Sequence, residues 1–169
     1  MARIVDLNVT RWDFIPGVAG LTTPSAPKVT ELSAAGAKAL SPFVVTTTNV
    51  NPTASDTVSE KGITDTSNAV VPTIGNFEGS LVLFRDYTSG EPTVNDPMSI
   101  FTGVGVVGWL VRRLGLPAST AWAVGQKVDV FLVMSDNPQQ SGGQGEGYLK
   151  LTCPLLQQGQ MYLGVTTVA

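Results

Sequence analysis

Apolar and polar residues alternate with a period of two along the last third of the chain. In the run KVDVFLVM at 127–134, Val128, Val130, Leu132 and Met134 lie on one side and the lysine and aspartate on the other, with only Phe131 and Val133 departing from the pattern. This is the pattern of a half-buried strand. Similar alternation over 149–155 and 161–167 predicts two further antiparallel strands. The three runs contain no catalytic constellation, so this part of the chain builds a sheet.

Three earlier runs also predict strands. The segment FVVTTT at 43–48 is rich in β-branched residues, which favour extended backbone. The runs at 77–86 and 106–114 carry apolar residues on both parities. Burial on both faces indicates a central strand or a strand at an oligomer interface.

Helix signals are weaker. Asp96 before Pro97 has the chemistry of an N-cap followed by a first helical residue, which predicts one short helix over 97–102. Residues 28–39 contain helix formers, but Gly36 interrupts them. We expect at most a short helix or turn there.

The expected fold is mainly β, an antiparallel β-sandwich or barrel of about seven to nine strands with one short helix and a long inter-strand loop. The loop is the polar stretch 49–76, in which 56–63 is compatible with a strand or hairpin. A Gly- and Pro-rich extended arm over 1–27 precedes a single domain over 28–169. A chain of this length buries roughly 70% of its unfolded surface, enough for its own core.

The arm carries three large apolar residues, Trp12, Phe14 and Ile15. A short extended segment cannot bury such side chains itself, so we expect an adjacent subunit or ring to cover them. The alternative is that the arm folds back as an edge strand on its own sheet.

Composition disfavours an enzyme. The chain has no histidine, which removes the commonest general base and metal ligand. Its thirteen Asp and Glu residues are spread singly rather than in the paired setting that tunes a general acid. The lone Cys153 lies in a predicted strand, as a small core side chain does. We predict no catalytic site, no metal site and no cofactor.

Gly103, Gly105 and Gly108 form a literal GxGxxG. In a dinucleotide fold this motif follows a strand and opens a helix. Here Pro97 lies in the preceding element and the next run ends at Gly and Pro, so we interpret the glycines as bends that lead into a strand. The segment QQSGGQGEG at 139–147 is predicted to be a hairpin loop, with partner binding as the alternative.

The net charge is −3, and the ten Lys and Arg residues are scattered. Tight nucleic-acid binding needs clustered cations, so it is disfavoured. The N-terminus lacks the apolar core of a signal peptide. The most apolar window, 100–111, is about twelve residues long against the roughly twenty that a membrane helix needs. We expect a soluble chain made in the cytosol, without a membrane anchor.

The order of several stretches resembles the tail tube (major tail) proteins of long non-contractile-tailed bacteriophages, particularly those of actinobacterial hosts. The stretches are LSPFVVTTTNV, SEKGITDTSNAVVPTIGNFEGSLVLFRDY, GWLVRR, GQKVDVFLV and GYLKLTCPLLQQGQMYLGVTTV. PKVTELSAAGAKALSPFV is also similar to a stretch with a Pro, an acidic residue followed by Leu, and a Gly before the first core strand. The similarity covers roughly residues 24–169.

The resemblance implies a β-sandwich subunit of the virion tail, assembled in the host cytoplasm into hexameric rings that stack as a tube. Its partners would be other copies of itself, the tape-measure protein, and the tail terminator and distal tail proteins. Double-stranded DNA would pass through transiently without specific binding, which suits a weakly acidic channel. A subunit that closes sideways and stays open axially needs non-identical contact surfaces.

Two sets of residues follow as expectations. The subunit-interface set is Trp12, Phe14, Ile15, Val58, Ile63, Val70 and Val71. The lumen-facing acids are Asp56, Glu60, Asp65, Glu78 and Asp86.

Two other functions share the β-rich composition. One is a capsid decoration protein or another structural protein of the virion. The other, less favoured, is a carbohydrate-binding module in which Trp12, Trp109 and Trp122 act as stacking platforms.

Overall fold

The computed structural model describes residues 8–64, 66–67, 69–141 and 147–169. The described part is mainly β, with antiparallel pairing between its strands. The strands are β1 (Thr10–Pro16), β2 (Lys38–Ala39), β3 (Asn49–Thr53), β4 (Thr57–Ser59), β5 (Val70–Pro72), β6 (Asn76–Phe84), β7 (Tyr87–Thr88), β8 (Glu91–Pro92), β9 (Val107–Leu114), β10 (Lys127–Ser135), β11 (Gln139–Ser141), β12 (Lys150–Gln157) and β13 (Tyr162–Thr166). The helices are α1 (Val29–Leu32) and α2 (Pro97–Ile100), with a 3₁₀ turn at Val18–Gly20.

One large sheet has the strand order β2-β1-β9-β10-β12-β6-β3. Strand β10 divides it, because its first half pairs with β13 (Lys127 opposite Thr166) and its last residues pair with β12 (Val133 opposite Gln157). Strand β11 adds to the outer part of β12. The sheet therefore folds over into two sandwich-like layers. This confirms the expected antiparallel β-sandwich.

The main core lies between these layers. It contains Phe14, Leu40, Leu81, Leu110 and Phe131, all fully buried. A second core lies on the outer side of β1, β9 and β10, beneath the 3₁₀ turn, α1 and the loop before β10. Its members are Ile15, Leu21, Leu32, Trp109, Val111, Trp122, Val128 and Val130. Strands β1, β9 and β10 are thus covered on both faces.

The expected arm is a sheet strand in the described residues. Strand β1 pairs with β9 along its whole length, from Thr10 opposite Leu114 to Pro16 opposite Gly108. The extended-arm expectation is therefore corrected for this stretch, and the alternative of a strand folded onto its own sheet describes it better. Residues 1–7 of the predicted arm lie outside the described residues.

The strand predicted at 43–48 is also corrected. The backbone N–H groups of Phe43 and Val44 both donate to the carbonyl of Leu40, which makes a turn. Only Val44 forms an isolated bridge there, opposite Leu83 of β6. The strand begins at β3, inside the segment expected to be a loop. Pro52 does not prevent it, because β3 is an edge strand and pairs on one side only.

The stretch 49–76 is correspondingly more ordered than a single long loop. It contains β3, the hairpin of β4 and β5, and the first residue of β6. The described residues contain two short helices, whereas the expected fold had one, and α2 ends at Ile100 rather than at residue 102. Gly105, with φ at +90°, lies in the turn before β9, which confirms the interpretation of the glycine motif as a bend.

Candidate assembly surface

A two-stranded hairpin, formed by β4 and β5, stands apart from the large sheet. Its register places Val58 opposite Val71 and Ser59 opposite Val70. Every residue of both strands is exposed. At its base, the backbone of Asp56 donates to Ile74 and accepts from Thr73. We call residues 54–75 the first hairpin.

The first hairpin carries a cluster of exposed apolar side chains. Val70 and Val71 are 56% and 58% exposed, and Ile63 in the connection is fully exposed. Val58 and Val71 form one cross-strand pair and therefore lie on the same face. Grouped exposed apolar residues of this kind mark an interaction surface more often than scattered single ones do. Val70 precedes Val71 along β5 and therefore points to the other face of the hairpin. We call Val58, Ile63, Val70, Val71 and Ile74 together the hairpin surface.

Four residues of the predicted interface set are thus accessible to a neighbour, and three are not. Trp12, Phe14 and Ile15 are at most 6% exposed in their own subunit. Phe14 packs against Phe101 in the main core, with ring centroids 5.0 Å apart and the ring planes at 55° to each other. Trp12 and Phe14 pack in the main core and Ile15 in the second core, so all three stabilise the fold of their own chain.

The predicted lumen acids separate into two kinds. Asp56 accepts a hydrogen bond from the Asn76 side chain at 3.0 Å, and Asp86 accepts one from the hydroxyl of Thr93. Both carboxylates therefore brace turns of their own subunit. Glu60 and Glu78 are exposed, the first on the first hairpin and the second on β6. Asp65 lies outside the described residues.

A second hairpin, formed by β7 and β8, follows the other end of β6. A buried ion pair holds its base, since Arg85 Nη2 lies 2.7 Å from Asp96 Oδ2 and their side chains are only 5% and 1% exposed. Asp96 Oδ1 also accepts the backbone N–H of Asp86. Arg85 reaches Gln140 of β11 and the hydroxyl of Tyr87 as well. The pair thus ties β6, the second hairpin and the start of α2 together.

The Arg85–Asp96 contact shifts both groups toward their charged forms. Burial alone would raise the pKa of Asp96, but hydrogen bonds from Arg85 and from the Asp86 backbone outweigh it, and the pKa is lowered. The hydrogen bond to Asp96 raises the pKa of Arg85. The backbone of Met98 in α2 makes only a smaller contribution to the lowered pKa of Asp96. The carboxylate expected to cap α2 therefore serves mainly the ion pair.

The three tryptophans are structural. Each is at most 6% exposed. Trp109 Nε1 donates to the carbonyl of Val18, and Trp122 Nε1 donates to Asp13. A stacking platform for a sugar must present its ring face to solvent, so the tryptophans do not support the carbohydrate-binding alternative.

Arginines cover the Trp122 ring. The Arg11 and Arg113 guanidinium carbons lie 4.6 and 5.0 Å from its centroid. Arg11 also forms an ion pair with the buried carboxylate of Asp13. Arg113 donates to backbone carbonyls of the loop before β10 and to Gln126. Burial lowers the pKa of Arg113, and repulsion by Arg11 adds to this.

The described residues offer little for catalysis. Burial raises the pKa of the Cys153 thiol to about 12, with repulsion by Asp136 as a smaller cause. That thiol is fully buried. Within the described ranges, no three His, Cys, Asp or Glu residues are grouped so as to hold a metal ion. Nor does any helix there have the length and apolar character to cross a membrane.

Sequence reasoning missed two features of this surface. Ile74 is 58% exposed at the hairpin base, and its place in the run VVPTIG was the available signal. Gln157 ties that base to the sheet through its side chain. Nothing in the local sequence indicates this, because the two segments are about eighty positions apart.

Comparison with known proteins identifies the family. The family model for phage tail tube protein matches residues 1–169, so the chain belongs to the phage tail tube protein family. A chain of a solved structure, the cryo-EM structure of the anti-feeding prophage (AFP) baseplate, 6-fold symmetrised, is similar at a TM-score of 0.52 and 16% identity. The alignment covers 98% of this chain and 99% of that chain. At this identity the likeness shows the fold alone. No curated protein matches the chain.

Proposed function

We propose that this phage tail tube protein assembles into hexameric rings that stack into the tail tube, the conduit for genomic DNA. Membership of the family makes the chain a structural component of the phage tail. The 6-fold symmetry of the similar baseplate structure supports the ring number. The tape-measure protein inside the tube, and the tail terminator and distal tail proteins at its ends, complete the set of proposed partners.

The observation that carries the proposal is the hairpin surface. Its valines stand in solvent on a projection whose strands have no buried residue. Covering one such side chain with a partner contributes up to about 1.5–3 kcal/mol. The contact repeats for every subunit of a ring, so even a modest gain per side chain makes assembly cooperative. A neighbouring copy that covers the first hairpin supplies this burial.

Replacing Val71 by Asp tests the role of the hairpin surface. A carboxylate there would have to be desolvated on contact, so we expect the concentration needed for tubes to rise on the order of a hundredfold. Negative-stain microscopy and sedimentation over a concentration series measure this. The subunit itself should melt at the wild-type temperature, because the side chain packs little within its own subunit.

Val18→Asp is the matched control, since that valine is 57% exposed but lies on the 3₁₀ turn. It should assemble as wild type does. The proposal fails if Val71→Asp forms tubes at the wild-type concentration, or if the wild-type chain stays monomeric at every concentration. Monomers that coat expanded capsids would instead favour the decoration function.

The channel charge is the finer part of the proposal. Asp56, Glu60 and Glu78 are exposed among the described lumen acids, and Asp56 is engaged at the hairpin base by Asn76. Reversal of Glu78 to Lys in the phage should leave tail length unchanged and slow DNA ejection, with added salt restoring the rate as it screens new phosphate contacts. Ejection at the wild-type rate through tails of normal length would remove this residue from the lumen set.

A further inference from the structure

We infer that Gln157 fixes the direction in which the first hairpin leaves the sheet, and that it is thereby a positioning residue for assembly. The inference rests on the proposed function, in which the first hairpin contacts a neighbouring copy. It concerns a residue that lies outside the hairpin surface and is half-buried at the end of β12. Its role would be exerted through the backbone of the hairpin base.

The Gln157 side chain joins three segments. Its Oε1 accepts the backbone N–H of Phe77 at 2.8 Å. Its Nε2 donates to the carbonyls of Gly75 at 3.0 Å and Gly159 at 3.1 Å. One amide thus links the second leg of the first hairpin, the start of β6 and the turn between β12 and β13. Strand pairing through Val133 anchors Gln157 itself to β10.

The other contacts at the hairpin base have a different effect. Asn76 donates to Asp56 and to the carbonyl of Ala54, and Thr73 donates to the carbonyl of Asp56. The Thr73 bond joins the two legs and would be kept if the hairpin swung as a unit. The Asn76 bonds hold the first leg to the start of β6, whereas they leave the second leg unattached to the sheet. The bond from Gln157 to Gly75 crosses from the leg to the body, so it opposes such a swing.

Close packing marks the same point. The terminal methyl carbon of Met161 lies 3.2 Å from where a Cβ on Gly75 would stand. The second leg therefore packs against the β12–β13 turn at Gly75, where the absence of a side chain leaves room for Met161. Ladder pairing between β3 and β6 ends nearby, at Thr53 opposite Asn76. Beyond that pair the direction of the legs depends on contacts such as those of Gln157 and Met161.

A fixed direction matters because each ring contact needs the hairpin surface in one orientation. If only a fraction of free subunits holds that orientation, the apparent dissociation constant rises by the inverse of the fraction. If loss of the Gln157 contacts lowers the fraction of subunits in the binding orientation to about a tenth, the protein concentration needed for tubes rises about tenfold. The hairpin surface itself would be unchanged.

Gln157→Glu is the main variant, because a carboxylate of the same shape still accepts from Phe77 but cannot donate to Gly75. Spin labels on cysteines introduced at Ser67 of the first hairpin and Ser25 of the body would report the hairpin direction in dilute, unassembled subunits. Both positions are exposed. The native Cys153 is fully buried and does not compete for label. We expect a narrow distance distribution in the wild type and a broader one in the variant.

The matched control is Gln160→Ala, an exposed glutamine of the same β12–β13 turn. It should keep the narrow distribution. Lowering the pH below about 4 protonates the introduced glutamate and restores an O–H donor, so the variant's distribution should narrow toward that of the wild type measured at the same pH, which controls for the chain's own carboxyl groups. A change in packing alone would not reverse in this way. Gln157→Leu is a second variant that removes all three bonds.

The assembly assay completes the test. We expect Gln157→Glu to need about tenfold more protein for tubes than Gln160→Ala does. Equal distance distributions in Gln157→Glu and wild type overturn the inference, as does a broadened distribution with tubes at the wild-type concentration. If Gln157→Glu does not fold, the leucine variant is judged by the same two readouts. A wild-type chain that forms no tubes would refute the proposed function, whereas the distances would still decide whether Gln157 sets the hairpin direction.

Discussion

Removal of the charge on Asp96 should be the most damaging single loss of a carboxylate in the described ion pairs. The Asp96 side chain is 1% exposed and that of its partner Arg85 is 5% exposed. Arg85 donates to Asp96 through Nε and Nη2 at 2.7–3.0 Å. Asp96→Asn keeps the shape but leaves a desolvated guanidinium without a counter-ion. Breaking a buried pair in this way costs about 3–5 kcal/mol.

The matched comparison is Asp129→Asn. Asp129 pairs with Arg112 at 2.8 Å, but their side chains are 16% and 14% exposed. Water can partly replace the lost charge there, so we expect a smaller cost of about 1 kcal/mol. Arg112 also keeps its bond to the carbonyl of Val50 at 3.0 Å. Urea denaturation of the two variants and the wild type gives the free energies of unfolding.

The pH dependence of stability gives an independent check. The folded pKa of Asp96 is lowered below its ordinary value. Its contribution is therefore fully present above the unfolded pKa of about 4 and is lost as the pH falls through the lower folded value. As the pH drops below about 4, the excess free energy of unfolding of the wild type over Asp96→Asn should shrink. The difference between the two proteins should be constant near neutral pH.

Two results would refute this reasoning. The first is a cost for Asp96→Asn no greater than that for Asp129→Asn, which would mean that burial does not set the cost of the lost charge. The second is a stability difference from wild type that persists unchanged below the pKa of a free carboxyl. The double variant Arg85→Met with Asp96→Asn should lose less free energy of unfolding than the sum of the two single variants. Each single variant leaves one charge buried without its partner, whereas the double variant removes both charges.

The remaining predictions concern the core. Gly79→Ala should lower the free energy of unfolding by about 1–3 kcal/mol, because its Cβ would lie 2.6 Å from the Cα of Val50 on β3, whereas Gly36→Ala, with nothing within 4 Å, should be neutral or slightly stabilising. Chemical denaturation compares the two, and an equal effect would contradict the close approach of β3 and β6. Cys153 should resist thiol reagents until denaturant is added, since it is fully buried and burial raises its pKa to about 12. Rapid labelling in native buffer would show that this core opens.

The strands that sequence patterning located are those with one clear buried side or a long apolar run. In β12, Leu151, Cys153 and Leu155 are buried while the residues between them are half-buried. The period of two is therefore visible in the sequence. Strand β6 was located instead by its apolar run on both parities, of which Leu81 and Leu83 are fully buried while Val82 and Phe84 are half-buried. Local pattern suffices where the two faces of a strand differ.

Strand β1 is not visible in the sequence pattern because its two faces do not differ. Phe14 faces the main core and Ile15 the second core, so no alternation is seen. Asp13 between the apolar residues is typical of a solvent-exposed arm, yet it is 2% exposed. Its charge is paired by Arg11 and its oxygen accepts the Trp122 indole N–H at 2.7 Å. A partner more than a hundred positions away cannot be read from a local pattern.

The hairpin surface was partly predictable for a related reason. Val58, Val70 and Val71 lie in a polar stretch with too few apolar residues to build a core, so their exposure follows from composition. The geometry at the hairpin base does not follow, since it depends on Gln157 and on Met161 from the opposite end of the chain. Residue type therefore predicts the apolar character of the hairpin surface, whereas tertiary contacts set the direction in which the first hairpin leaves the sheet.

The two ends of β6 differ in a way that bears on how copies can join. At its start, the first hairpin presents exposed valines and neutral amide contacts, as in the bonds from Gln157. At its end, the second hairpin is held by a buried ion pair. A contact in which one of these surfaces meets the other on a neighbouring copy is heterologous, because the two surfaces differ. Such contacts close into a ring or continue as a filament, and a stacked tube needs both kinds. In the proposed tube, orientation would pass from one contact to the next through the body of the subunit, which the buried ion pair and the two cores hold together.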